Sequence, residues 1–128
     1  MNDQSSEHHF QLAVGISIEA LKALLLLNGG AATALIALTG KSDSSPDYSL
    51  AILFFGLGAL LAVLSFICGY FSQLSYANHR LELENEDAKS AEALIKKHVR
   101  WQGAAITFVV VSVLASSAGM AAAFVAVF

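Results

Sequence analysis

Asn28-Gly29-Gly30 stands inside the apolar run Leu24–Gly40, LLLLNGGAATALIALTG. A carboxamide in such a run has two uses. It can hydrogen-bond to a neighbouring helix or subunit, or it can face water or a solute in a pore or ligand site. Hydrocarbon offers it no partner, and an unpaired amide there is strongly unfavourable. The two glycines weaken a helix and permit close approach or a bend. Ser116 and Ser117 fall near the middle of the last apolar run, with Thr33, Ser65, Thr107 and Ser112 scattered around them. Serine and threonine can bond back to their own helix carbonyls, so packing is the simpler role for them. Asn28, Gly29, Gly30, Ser116 and Ser117 are therefore read as intramembrane polar packing, with a pore lining as the alternative.

The remaining reactive side chains point to no reaction. His8 and His9 are adjacent and would lie on different faces of a helix. His79 and His98 sit on the two arms of one polar connection and could face each other. Two imidazoles make only half a structural metal site, so the expectation is no metal, with a pH-sensitive pair as the sharper alternative. Glu82-Leu83-Glu84-Asn85-Glu86-Asp87 lacks the alternating oxygens and the glycine of a calcium loop, and reads as a solvated tip. The single cysteine, Cys68, is expected to pack as a small apolar residue. There is no nucleophile elbow, phosphate-binding loop, metalloprotease helix or dinucleotide fingerprint. Membrane-embedded carboxylates are absent as well. The expectation is a protein without enzymatic activity or cofactor. The formal charge of −3, with no strongly basic patch, implies no nucleic-acid partner.

The elements that must position these residues are set by composition. Of 128 residues, 56% are hydrophobic and 13% charged, where a soluble domain carries about 25% charged residues. A bilayer core of about 30 Å needs roughly 20 apolar residues to cross. Residues 20–38, 50–71 and 104–127 qualify as spans, and only Lys22, at the rim of the first, is charged. The acidic start, with Asp3 and Glu7, argues against a cleaved leader, and no lipidation box is seen.

Phe10, Ala13, Val14 and Leu21 recur at helical spacing with no breaker before Asn28, so the first helix should enter the membrane unbroken. Residues 39–47 read as a loop, with Asp47 free to cap the next helix. The polar stretch 72–101 has no glycine or proline and carries the favourable pair Glu92–Lys96, so it reads as a helical hairpin turning near Asn85–Asp87. Helices from about Tyr48 to Glu84, and from Ala88 to near the end, exceed the bilayer thickness and should project on one side as a stalk. Lys22, Tyr70, Tyr76 and Trp101 are the expected interface anchors. Arg80, Lys89, Lys96, Lys97 and Arg100 crowd the second connection, so it and the N-terminus should be cytoplasmic, with Phe128 on the opposite side.

The run Leu25–Ala31, LLLNGGA, resembles a pattern in uncharacterised short bacterial three-span membrane proteins. The resemblance implies a bacterial inner-membrane protein and brings no activity with it. The fold expected is all-α, an integral membrane three-helix bundle with helices extended into a cytoplasmic stalk. Gly58-x-x-x-Ala62, Ser65-x-x-x-Gly69, Ser112-x-x-x-Ser116, Ala115-x-x-x-Gly119 and Gly119-x-x-x-Ala123 offer more close-packing surface than one antiparallel bundle needs. Self-association in the lipid bilayer is therefore expected, with a possible protein partner at the hairpin. A holin-like or channel pore lined by Asn28, or an accessory subunit of a larger complex, are the alternatives.

Overall fold

The computed structural model describes residues 3–39, 46–85 and 88–128. Residues 40–45, with Lys41, and Glu86 and Asp87 at the hairpin tip lie outside the described residues, as do the side chains of His8, His9, Phe10 and Ala13. Three helices make up the rest: α1 (Asp3–Thr39), α2 (Ser49–Glu84) and α3 (Ala88–Val127). No strand occurs among the described residues. All three helices are long and apolar enough to cross a membrane, with mean hydropathies of 1.7, 2.7 and 2.1. The chain is a small, multi-pass, all-α membrane protein.

Local chemistry sets the helix ends. Pro46 cannot continue a helix, and the Asp47 carboxylate accepts the Ser49 N–H at 2.9 Å. Tyr48 then accepts the Ile52 N–H at 2.9 Å, and α2 is under way. At the other end the Asn85 N–H donates to the Leu81 carbonyl at 3.0 Å, closing the last turn. By contrast, α1 runs without a break through Asn28-Gly29-Gly30. Hydrocarbon supplies no alternative partner for a freed backbone group, so the glycines do not open the helix.

α2 and α3 form a long antiparallel pair, and α1 lies mainly against α2. The buried face of α2 advances in steps of three and four residues: Ala51, Phe55, Gly58, Ala62, Ser65, Cys68, Ser72 and Ser75. That spacing keeps one seam turned to a neighbouring helix. Ala91, Ser112, Ala115, Ser116 and Gly119 line the matching side of α3. Gly119 admits the Phe55 ring so closely that an added Cβ would stand 3.0 Å from it. The small-residue faces of α2 and α3 are thus largely spent on each other within one chain.

The interior is small and polar, and the exterior is large and apolar. Asn28, Ser65 and Ser112 are the largest fully buried side chains, while Leu26 and Val125 are each 75% exposed. Lipid is as apolar as leucine, so nothing drives bulky side chains inward, and close packing with hydrogen bonds holds the helices together. α1 shows this most sharply: among its described side chains only Asn28 is buried. Toward the chain's C-terminal end α1 and α3 part, leaving a cleft of about 450 Å³ between Ala31, Ala34 and Leu35 on one side and Ala123 and Phe124 on the other. In the stretch 72–101 α2 and α3 stay bonded to each other, through Ser72 with His98 and His79 with Ala91.

Candidate functional site: an amide clasp between three helices

Asn28 of α1 reaches both other helices. Its Nδ2 donates to Ser112 Oγ at 3.4 Å, and its Oδ1 accepts from Ser116 Oγ at 2.7 Å. Ser112 Oγ in turn donates to the Gly58 carbonyl of α2 at 2.7 Å. Ser116 Oγ also stands 2.9 Å from the Ser112 carbonyl, so its proton is shared between its own helix and Asn28. Gly58 makes the cradle. A Cβ built there would lie 2.7 Å from Asn28 Oδ1 and 2.9 Å from its Nδ2. No residue with a side chain fits at 58 while Asn28 keeps its place.

The clasp is closed to solvent. Asn28 and Ser112 are 0% exposed and Ser116 is 4% exposed. No buried side-chain nitrogen or oxygen among the described residues lacks a partner. Asn28 spends one N–H and one oxygen lone pair here, and its complete burial leaves a solute no access. Of the five residues read as a polar cluster, the structure brings Asn28 and Ser116 together. Gly29 and Gly30 have nothing within 4 Å of an added Cβ. Ser117 is exposed and bonds back to the Val113 carbonyl at 3.0 Å. Gly58 and Ser112 are the partners that sequence reasoning did not attach to Asn28. Their signal was the one-turn spacing Ser112-x-x-x-Ser116, which sets two hydroxyls on one face.

Further along the same seam, serine hydroxyls continue the cross-links. Ser65 Oγ donates to the Ala105 carbonyl at 2.9 Å. His98 Nδ1 donates to the Ser72 carbonyl at 2.9 Å, and Ser72 Oγ donates back to the His98 carbonyl at 3.3 Å. His79 Nδ1 donates to the Ala91 carbonyl at 2.7 Å. The two histidines flank Tyr76, with ring centroids 6.2 Å (His79) and 5.3 Å (His98) from it. Each therefore bonds the backbone of the opposite helix. No group of three or more metal-ligating side chains occurs among the described residues. Cys68 is buried in the seam as a free thiol.

Two of the three aromatic anchors, Tyr70 and Trp101, meet at Phe71, while Tyr76 lies six residues further along α2. Trp101 stacks on Phe71 at 5.2 Å, and Tyr70 meets Phe71 edge-on at 5.5 Å. Lys22 pairs with Glu19 at 2.7 Å, both exposed. Two carboxylates outside the spans lie below their usual range. Asp47 is lowered by its hydrogen bonds to Ser49, and Glu92 by its bond to Lys96 and that ammonium's charge.

Comparison with protein-family models, with curated proteins and with solved structures finds no match.

Proposed function

We propose that the protein is a non-enzymatic structural or interaction component of a membrane. In this reading the spans anchor it and the α2–α3 extension presents a docking surface to a protein partner. The observation that carries the reading is the enclosure of Asn28: its amide is bonded wholly within one chain, so the membrane part closes on itself. What stays available lies beyond the spans. Leu81 and Leu83 are 55% and 52% exposed among the charges of the extension. Self-association belongs to the same proposal, through the uncovered side of α1, where Leu26, Leu27 and Ile36 stand exposed. The basic residues Arg80, Lys89, Lys96, Lys97 and Arg100 support a cytoplasmic hairpin. The LLLNGGA resemblance supports a bacterial inner membrane.

The test is native mass spectrometry of the untagged chain in nanodiscs, followed by conductance across a planar bilayer. The expected result is a discrete small oligomer with no conductance. A strictly monomeric chain removes self-association. A conductance that Asn28→Leu alters, with the oligomer intact, replaces this reading with a pore.

A further inference from the structure

The outward face of α3 at the head of its span combines three features that no structural role uses. First, Ile95, Lys96, Val99 and Arg100 enclose a shallow depression of about 440 Å³. Its floor is apolar and two cations flank it. Second, cations outnumber acids on this stretch of α3. α3 has no Asp or Glu from Ala93 to Phe128, and α2 has no charged residue between Leu50 and Asn78. The nearest acid on the helix, Glu92, pairs with Lys96 at 2.7 Å on an exposed surface, where such a pair is weak. Neither Lys97 nor Arg100 has an ion-pair partner among the described residues. Third, aromatic residues stand beside it. Arg100 immediately precedes Trp101, whose ring stacks on Phe71, and aromatic belts mark the headgroup level.

Below the cations the same face changes character. Gly103 follows Val99 by four residues, and an added Cβ there meets nothing within 4 Å. Ile106 and Val110 continue the line at 58% and 53% exposure. Residues three and four apart on a helix lie one above the other. From the extension inward, the face therefore reads cation, cation, bare backbone, then aliphatic surface. That order matches an anionic headgroup, a glycerol backbone and an acyl chain.

We propose that this face binds one anionic phospholipid of the leaflet on the hairpin side, its phosphate held between Lys96 and Arg100 and an acyl chain lying over Gly103, Ile106 and Val110. Lys97 adds to the local potential from the adjacent face. A zwitterionic lipid offers the same phosphate but cancels it with its own cation, so the preference should follow net charge.

The test uses the full chain in mixed micelles with phosphatidylglycerol and phosphatidylcholine of equal chain length, read as lipid adducts by native mass spectrometry. Phosphatidylglycerol should be retained over phosphatidylcholine. Juxtamembrane cations contribute enough that retention should fall about fivefold for R100Q and further for K96Q/R100Q. K89Q, seven residues earlier on the same helix, should leave it unchanged. Gly103→Leu keeps both cations and obstructs the acyl path, so it should also lower retention. Equal retention of the two lipids overturns the proposal, as does unchanged retention in either K96Q/R100Q or Gly103→Leu. Displacement of the adduct by millimolar inorganic phosphate overturns it too, since the face would then be a simple anion site.

Discussion

Leucine branches like asparagine but is bulkier, so Asn28→Leu removes the bonds of the clasp and also crowds Gly58. Ser112 and Ser116 keep their carbonyl partners on Gly58 and Ser112 in that variant. The bonds that join α1 to α3 are worth about 0.6–2 kcal/mol in a membrane, and the crowding adds to that loss. Thermal unfolding in mild detergent should move to lower temperature. Gly58→Ala attacks the same place from the other side. Its Cβ would overlap the carboxamide, and overpacking of this kind costs about 1–3 kcal/mol. In an Asn28→Ala background the same change should be far milder, and a double-mutant cycle that came out additive would refute the contact. Gly29 and Gly30 predict the opposite sign, because nothing crowds them. Replacing each with alanine should stabilise the helix by about 0.5–1 kcal/mol. The two lowered carboxylates set the response to acid. A depressed folded-state pKa stabilises the fold above the unfolded value and loses that contribution as pH falls through the folded one. Asp47 and Glu92 are fully exposed, so both effects are small. Circular dichroism should show helix content flat from neutral pH down to about pH 4, with slight fraying of α2 and α3 below it.

Among the helices, α1 is held differently from the other two. α2 and α3 share a seam of small residues over most of their length, while α1 has one buried anchor among its described side chains. Spin labels on α1 and α3 should therefore move apart in Asn28→Leu, while a label pair across α2 and α3 keeps its distance. A widened α2–α3 distance in that variant would show that the seam depends on α1. These elements were largely legible in the sequence. Pro46-Asp47 marks the start of α2, and hydropathy with the glycine-free stretch 72–101 marks the long helical arms. That Asn28 must find a polar partner was legible as well, while its enclosure within one chain, rather than at a pore or a second subunit, was not. Its partners were not. Gly58 and Ser112 are two of many small residues, and a glycine or serine in an apolar run signals close approach without saying to what. The same ambiguity hid how much of the small-residue surface serves α2 and α3 themselves: Ala62, Ser65, Ser112 and Gly119 are buried, while Gly69 has nothing within 4 Å of an added Cβ. The histidines illustrate a further limit. Similar estimated height along two arms left open that they face each other, but His79 bonds at the level of Ala91 and His98 at the level of Ser72, seven residues or about 10 Å apart, with Tyr76 between them.

At the level of the whole molecule, the outside is the unusual surface. Bulky aliphatic residues cover it and small polar ones fill the inside, so the fold is stable only in an apolar solvent. Transfer from mild detergent to a detergent-free aqueous buffer should aggregate the chain with its helices retained, as read by light scattering and circular dichroism together. The clasp also bears on how the molecule is made. Asn28 bonds to residues 84 and 88 positions later in the chain. A ribosome adding about 5–20 residues per second needs roughly 4–17 s to cover that interval. For all of that time α1 has been synthesised and the hydroxyls that satisfy its amide have not. Nascent or truncated chains that stop short of Ser112 thus expose an orphan amide in the lipid. That makes them chemically distinguishable from finished ones, and a membrane protease or insertase that senses polar groups in hydrocarbon could sort the two by this single side chain.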